Sequence, residues 1–456
     1  MVIMGRKLHE TATLFFLCIN QSAFGTSLQE AVLTALDTNP SIGADEANAR
    51  ASDIEVDTAR AGYFPSLDIV QSTLGYQYVR IKNKAAPLSI PFDGHSTEWV
   101  TNPTVILSQT IFDGLATPFA VERARKEAEA AYSILGQTRE QIAFSAVSAY
   151  ITLLAQQRLL HLAKENIKKH QDILEKVKKR VEGGISTIAD VYQVQSRLDD
   201  AFIILDRTIG LLEDAISNFI AVVGFRPEEL ESPLLPNEPL SDGIEAILSR
   251  ASQSNPSVVV EKNNLQIAEA ALDQTLSPFM PTVQVQLDSN APIYNANGTE
   301  GRQSNFTAQV VLNYNLYSGG RDLAKRKAQT ERVVAAKKKI DAARRNALKI
   351  CRSAWAKYLS DLAQVQDSKQ AVEVNTKLQR SYELQFELVS RPLLDLLDAY
   401  VSYYRSQNDH INAQADADIN HALLLASMGN LESTFHYRKN EAYSETSLPH
   451  KNEQTK

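Results

Sequence analysis

Aligned with itself, the chain repeats. Asn39-Pro40 recurs as Asn255-Pro256 and Pro65 as Pro281, both at one offset. Farther on, Phe112-Asp113-Gly114 answers Tyr317-Ser318-Gly319, Asp190 answers Asp395, and Gly224 answers Gly429, all at a second, slightly shorter offset. The spacing therefore changes once, between Pro65 and Phe112. A duplicated half restricts the fold to two equivalent units built into one architecture. The two or three unrelated domains that 456 residues would otherwise suggest are set aside.

Both halves read in one order. Repeat 1 spans residues 26–226, with strands over about 66–112 and long helices over about 115–224. Repeat 2 spans residues 227–430, with strands over about 281–317 and helices over about 320–429. A helical stretch opens each half, at 28–60 and 244–276, and Asn-Pro interrupts it early, as a turn does. A proline stop follows at Pro65 and Pro281.

The strand signal is alternation. Val283, Val285 and Leu287 interleave with Gln284, Gln286 and Asp288; Phe306, Ala308, Val310, Leu312, Tyr314 and Leu316 form the return. In the first half, Pro103, Val105, Leu107, Gln109 and Ile111 alternate in the same way, and residues 67–81 are rich in strand formers. A period of two with one apolar face marks a half-buried strand. About ten residues suffice for a tilted bilayer crossing. Tyr76, Tyr78, Trp99, Tyr294 and Phe306 fit interfacial aromatics or simply good strand formers. The polar tips, 82–98 and 295–304, are where a length difference can be absorbed.

Long helices follow. From Ile142 to Val181, positions step by four and three through Ala146, Ala149, Leu153, Gln156, Leu160, Ala163, Ile167, His170, Leu174 and Val177, a coiled-coil stripe. Gly183-Gly184 ends this helix and a second runs from about 187 to 223. In the second half the break lies near Ser390-Arg391-Pro392, and the stripe is weaker, with Asp361, Ser368, Asn375 and Gln379 at matching places. Whether these face a helix or water stays open. The tail, 431–456, is polar and aperiodic and reads as disordered.

The N-terminus reads as a signal peptide over residues 1–25: Arg6 and Lys7, an apolar stretch at 14–19, and small residues before a cut after Gly25. Cys351 is then the one cysteine of the mature chain, which forbids an intrachain disulfide. After the signal no run of about 18 apolar residues exists, which excludes helical spans but not a β-barrel. A net charge of -7 gives no footprint for nucleic acid. No phosphate loop, nucleophile elbow or zinc spacing occurs, so no enzymatic constellation, cofactor or metal site is expected. His161, His170, His410 and His421 read as packing or surface residues.

Two hairpins supply four strands, whereas the smallest membrane barrels use eight. An open edge in lipid leaves backbone groups unpaired, so such a sheet must close with copies of itself under cyclic symmetry. The fold class expected is mainly α with a transmembrane β-barrel part, long antiparallel coiled-coil helices, and four strands per protomer.

Three segments carry a resemblance: Ala61-Gly-Tyr-Phe-Pro-Ser66, Leu107-Ser-Gln-Thr-Ile-Phe-Asp-Gly114 and Leu393-Leu-Asp-Leu-Leu-Asp-Ala399. In order, spacing and duplication the chain resembles the TolC family of outer-membrane channel-tunnels, over about residues 27–430. The resemblance implies a homotrimer with a 12-stranded barrel in outer-membrane lipid and a helical tunnel through the periplasm. It implies two further partners, a periplasmic adaptor and an inner-membrane ABC or proton-driven transporter. It also implies a periplasmic gate: a carboxylate ring of Asp395 and Asp398, and a latch of Arg391 with Asp190. Gln193 stands opposite Asp398, so the ring belongs to the second repeat. Phe386 stands where relatives carry a latch tyrosine, and a phenyl ring cannot make that hydrogen bond. The basic run Lys164, Lys168, Lys169, Lys176, Lys178, Lys179 and Arg180 reads as a solvated face, with adaptor docking as the alternative. The expected function is an outer-membrane exit duct, for type I protein secretion or, alternatively, small-molecule efflux. A secreted structural coiled coil is the competing class; it leaves the paired amphipathic hairpins unexplained.

Overall fold

The computed structural model describes residues 26–74, 98–227, 229–233, 235, 243–296, 299–388 and 390–435. The first half contains α1 (Leu28–Thr38), α2 (Pro40–Arg60), β1 (Ser66–Leu74), β2 (Glu98–Phe112), α3 (Ala116–Glu182) and α4 (Ile188–Val223). The second contains α5 (Ile244–Ser254), α6 (Pro256–Gln274), β3 (Thr282–Asn290), β4 (Ile293–Ala296), β5 (Thr299–Arg302), β6 (Asn305–Asn313), α7 (Arg321–Glu387) and α8 (Leu393–Ser427). One constant offset carries the starts of α1, α2 and β1 onto those of α5, α6 and β3; a shorter one carries the starts of α3 and α4 onto those of α7 and α8. The length difference thus falls between β1 and α3, in the strand region. The signal segment, Tyr76, Tyr78 and the first-repeat tip lie outside the described residues, as do the side chains of Trp99 and Tyr294.

The Asn-Pro pairs join the short helices to the long ones. Asn39 Oδ1 accepts from Ser41 N at 3.0 Å, capping α2, while its Nδ2 donates to Val222 O at 3.1 Å in the last turn of α4. Asn255 does the same for α6 and α8, through Ser257 N at 3.1 Å and Ser427 O at 2.9 Å. Proline at the first helical position loses no hydrogen bond. Helices α4 and α8 then give way to left-handed glycines, Gly224 at φ 96° and Gly429 at φ 72°. At Gly429 a Cβ would stand 2.8 Å from Ser254 O. Gly429→Ala should therefore lower stability by at least the ~1–2 kcal/mol of a left-handed non-glycine residue, read as a fall in the thermal unfolding midpoint in detergent.

Helices α3 and α7 each run 67 residues, about 100 Å at 1.5 Å per residue. They fold back as the α3–α4 and α7–α8 hairpins. Near the sheet, α2, α3, α6 and α7 lie side by side; beyond the middle, α8 packs on α3 in place of α6. Where the halves meet, Leu28, Val32 and Leu36 of α1 and Ile247 of α5 pack on Tyr150, Leu153, Phe219, Leu424 and Leu425. The Tyr150 hydroxyl lies 2.7 and 2.8 Å from the carbonyl oxygens of Thr26 and Glu231, fixing both segments to α3.

The tail departs from the sequence reading at its start. Residues 431–435 are helical, and Leu431 and Phe435 are 0% and 1% exposed in the central core. So short a segment shows no period of its own, and its burial comes wholly from elements distant in sequence. Return strand β6 is also shorter than the alternation suggests. It stops at Asn313 opposite Thr282, because Pro281 has no N–H and ends the partner strand, so Tyr314 and Leu316 lie beyond the ladder.

Eight of the twelve α3 stripe positions are buried, Ala146, Ala149, Leu153, Ala163, Ile167, His170, Leu174 and Val177, while Ile142, Gln156, Leu160 and Val181 are half-buried. The weaker α7 positions face α8 through a polar seam. Ser368 Oγ and His410 Nδ1 lie 3.0 Å apart, Asn420 Nδ2 donates to Asp361 Oδ2 at 2.7 Å, and Gln379 is buried. Ser368 and Asn375 line a cavity of about 670 Å³ in this seam.

Candidate functional site

Two regions carry the functional geometry, the sheet and the opposite helix tips. The sheet is antiparallel, with β1 on β2, β2 on β3, and β3 on β6. Strand β4 continues β3 along the same edge of β2, and β5 pairs β4 as β6 pairs β3, so six strands make four ribbons. The break in the ribbon coincides with two prolines: Pro103 O accepts from Ala291 N at 3.1 Å, next to Pro292, and neither proline can donate to the ladder. Among the described residues, the outer edges of β1 and β6 have no partner strand.

Register sorts the side chains into two faces, since residues directly opposite share a face. One row reads Leu67, Leu107, Leu287, Ala308; a neighbouring row reads Ile69, Val105, Ser289, Phe306. The reverse face holds Ser66, Ser108, Gln286, Gln309 and then Asp68, Ile106, Asp288, Thr307. The apolar face is bare: Leu67, Ile69, Phe306 and Val310 are all at least two-thirds exposed in the single chain. An apolar exposed sheet backed by Ser, Gln and Asp fits lipid on one side and water on the other.

At the far end, the turns joining α3 to α4 and α7 to α8 lie together. Their core is Ile173, Leu174 and Val177 of α3, Val194 and Leu198 of α4, Phe386 of α7, and Leu393, Leu396, Leu397 and Tyr400 of α8. Around it sit the residues singled out from sequence. Arg391 Nη1 donates to Asp395 Oδ2 at 3.0 Å and Nε to Gln385 Oε1 at 3.0 Å, with the guanidinium 4.2 Å above the Tyr382 ring centroid. Asp190 instead closes the capping box of α4, where Oδ2 accepts from Thr187 N at 2.8 Å. Within one protomer, then, Arg391 and Asp190 do not meet. Asp398, one turn from Asp395, pairs with Arg197 of α4 at 3.6 Å.

Several tip residues escape sequence reasoning. Tyr382, Gln385 and Arg197 have no motif; each acquires its partner through the α7–α8 turn or across hairpins. Two members of the basic run turn out not to be merely solvated. Lys176 Nζ lies 2.7 Å from Glu387 and 3.4 Å from Glu383, and the Glu387 hydrogen bond raises the ammonium above its usual range while holding the carboxyl down. Arg180 Nη2 donates to Phe386 O at 2.7 Å and stacks 4.0 Å from the Phe386 ring centroid. Lys179 pairs within its own helix, with Glu175 at 2.7 Å. His170 packs inside against Tyr400, its Nδ1 2.9 Å from Asn166 O, and burial lowers its pKa. Among the described residues no His, Cys, Asp and Glu side chains gather as a metal site.

Comparison with known proteins converges on one group. The family model described as outer membrane efflux protein matches residues 32–203 and 247–430, one segment in each repeat. The chain is 23% identical to the outer membrane efflux protein BepC of Brucella suis over 423 residues, covering 91% of this chain and 86% of BepC. It is 23% identical to the outer membrane protein TolC of Vibrio cholerae, covering 68% of this chain and 73% of that protein. Among solved structures it superposes on the Campylobacter jejuni CmeC outer membrane channel with a TM-score of 0.75 at 12% identity, over 91% of this chain and 89% of CmeC. The matched segments take in most of both repeats, so this is an outer-membrane protein, and it belongs to the outer membrane efflux protein family.

Proposed function

We propose that three copies join their four-ribbon sheets into one 12-stranded barrel, and that the trimer is the exit duct of a tripartite export system. One observation carries this reading: the sheet register gives a mainly apolar face and a mainly polar face, while among the described residues both outer edges lack a partner strand. Lipid accepts the first face, water the second, and only further copies satisfy the edges. Substrate enters at the helix tips from an inner-membrane transporter and a periplasmic adaptor. The protein supplies a passage and performs no chemistry. Type I protein secretion is the cargo class we favour, on the stretch from Leu393 to Ala399; the efflux function in the name of BepC supports small-molecule export as the second reading.

Asp395 and Asp398 supply the carboxylate ring at the constriction, three copies contributing six groups. In the resting tip each is met by an arginine, Asp395 by Arg391 and Asp398 by Arg197. Any contact of Arg391 with Asp190 runs from one copy to the next. The test is the purified protein in planar bilayers. Wild type should form discrete cation-preferring channels, and Asp395→Asn with Asp398→Asn should reduce cation preference and weaken block by divalent cations. Absence of channels from a correctly folded oligomer overturns the duct, and unchanged selectivity overturns the ring.

A further inference from the structure

We infer that the joint between neighbouring copies repeats, contact for contact, the joint between the two repeats of one chain. Strand β6 then pairs with β1 of the next copy with Tyr314 opposite Ile69, and the turn at Gly319 receives Phe64 and the Ala61 carbonyl of that copy. The inference rests on the duct reading, in which copies close one barrel. Duplication gives each half the same two edges, and within a chain β2 and α3 of repeat 1 already meet β3 and α6 of repeat 2. The edges left over, β6 with α7 and β1 with α2, are the counterparts of that joint. Closed cyclic symmetry brings them together. The correspondence holds residue by residue in the sheet. The offsets that carry Ser66 to Thr282 and Ser108 to Asn313 turn the pair Ser66 with Ser108 into Thr282 with Asn313, itself a pair of the sheet.

Each part of the inner joint has an unfilled counterpart at the outer edges. Gly114 and Gly319 correspond and share φ 67°. A Cβ at Gly114 would stand 2.7 Å from Ser277 O and 3.0 Å from Met280 Cβ, so the turn into α3 lies directly against the start of β3. Among the described residues, nothing lies within 4 Å of a Cβ at Gly319. The counterparts of Ser277 and Met280 are Ala61 and Phe64, and the Phe64 ring is bare, at 70% exposure. The helices agree. Asn263 Nδ2 lies 3.5 Å from Glu129 O, and Gln274 Oε1 lies 3.5 Å from Arg123 Nη1, both across the α3–α6 contact; Ala270, on that face of α6, is buried. Their counterparts on α2 are Ala47, Thr58 and Ile54, all exposed. In the sheet, Gln109 stands opposite Val285, Leu107 opposite Leu287 and Val105 opposite Ser289. The same offsets give Tyr314 opposite Ile69, Leu312 opposite Gln71 and Val310 opposite Thr73. This register keeps the two apolar rows on one face. It also gives Tyr314, beyond the ladder of the single chain, a partner strand.

Two experiments on the full chain test the joint. Ile69→Cys with Tyr314→Cys should link copies into covalent trimers on a non-reducing denaturing gel, because directly opposed positions of an antiparallel pair lie within reach of a disulfide. Within one copy the two positions sit on opposite edges of the sheet, three strand spacings of about 4.8 Å apart, so no bridge closes there. Cys351 is buried and takes no part. Ile69→Cys with Val310→Cys, displaced by four residues along the strand, should leave copies unlinked. The second experiment compares adjacent glycines. Gly319 and Gly320 both have positive φ, so asparagine strains the isolated chain alike at either. The counterpart of Gly320 is Leu115, which already carries a side chain at φ 66°, whereas that of Gly319 is the blocked Gly114. Gly319→Asn should therefore lower the yield of oligomer by about tenfold or more, through an overlap repeated at every joint, and Gly320→Asn should assemble as wild type does. An oligomer of Ile69→Cys with Tyr314→Cys that stays unlinked under oxidation, or equal yields from the two glycine variants, overturns the joint and leaves the duct standing. If the cysteine pair does not assemble under reducing conditions, the glycine comparison decides alone. Wild type that forms no oligomer in detergent overturns the duct itself.

Discussion

Leu287→Arg should abolish outer-membrane assembly, while Gln286→Arg, at the neighbouring position, should assemble and shift channel selectivity toward anions. Leu287 stands in the row Leu67, Leu107, Leu287, Ala308 on the apolar face; Gln286 stands in the row Ser66, Ser108, Gln286, Gln309 on the polar face. An arginine facing lipid costs about 2–4 kcal/mol near the bilayer midplane of a barrel. In the proposed trimer each copy carries that cost. On the face proposed to line the water-filled duct, the same side chain stays hydrated and costs little, yet it adds positive charge beside permeating ions. Membrane fractionation with gel analysis of the oligomer checks the first arm, and reversal potentials in a salt gradient check the second. A normal oligomer from Leu287→Arg, with failure of Gln286→Arg, would mean that lipid meets the opposite face. A secreted coiled-coil rod predicts that neither change matters to membrane association.

The second large effect lies at the start of the tail. Phe435→Ala should destabilise the central core by about 3–5 kcal/mol, the usual cost of emptying a buried aromatic site. Phe435 is 1% exposed among residues of both repeats, so nothing nearby can relax easily into the gap. Truncation after Asn430 should cost more, because Leu431 leaves as well. Truncation after residue 435 should be neutral to the unfolding midpoint, which separates the buried turn from the remainder of the tail. The attachment also senses pH. Glu140 Oε1 and Oε2 accept from Leu431 N at 2.6 Å and Glu432 N at 3.1 Å, and burial lifts this carboxyl from 4.5 to about 7. Its folded value lies above its unfolded one, so its contribution to stability is full below about pH 4.5 and is lost as pH rises through about 7. The wild-type unfolding midpoint should fall across that window, and Glu140→Gln, which does not titrate, should flatten the profile. A wild-type curve as flat as that of the variant would show that Glu140 does not carry the dependence.

The repeat made the order of elements legible. One unbroken offset relates α3 to α7 and α4 to α8, because long helices cannot gain or lose residues without turning their buried stripe outward. Alternation revealed the strands for the same kind of reason: a period of two is set by backbone geometry alone. Asn39 and Asn255 were visible as interruptions, but their bonds to Val222 and Ser427 were not, since those partners lie far along the chain. The tip shows the limit most clearly. Arg391 and Asp395 stand four residues apart, a local separation that puts them within reach of each other. It could not place Arg180 on Phe386 or Arg197 on Asp398, because the crossing of two hairpins decides which side chains face.

Duplication, the helix stripes, the alternating strands and the too-small sheet were therefore determined by the sequence itself, each being a periodic or local property of one segment. Tertiary structure alone decided that residues 431–435 join the core, that the weaker α7 stripe faces α8 through a polar seam, and that α3 grips α7 at the tip. Those outcomes depend on how separate elements dock. Docking is set by the summed burial and pairing of many distant side chains, a quantity no single window of sequence contains.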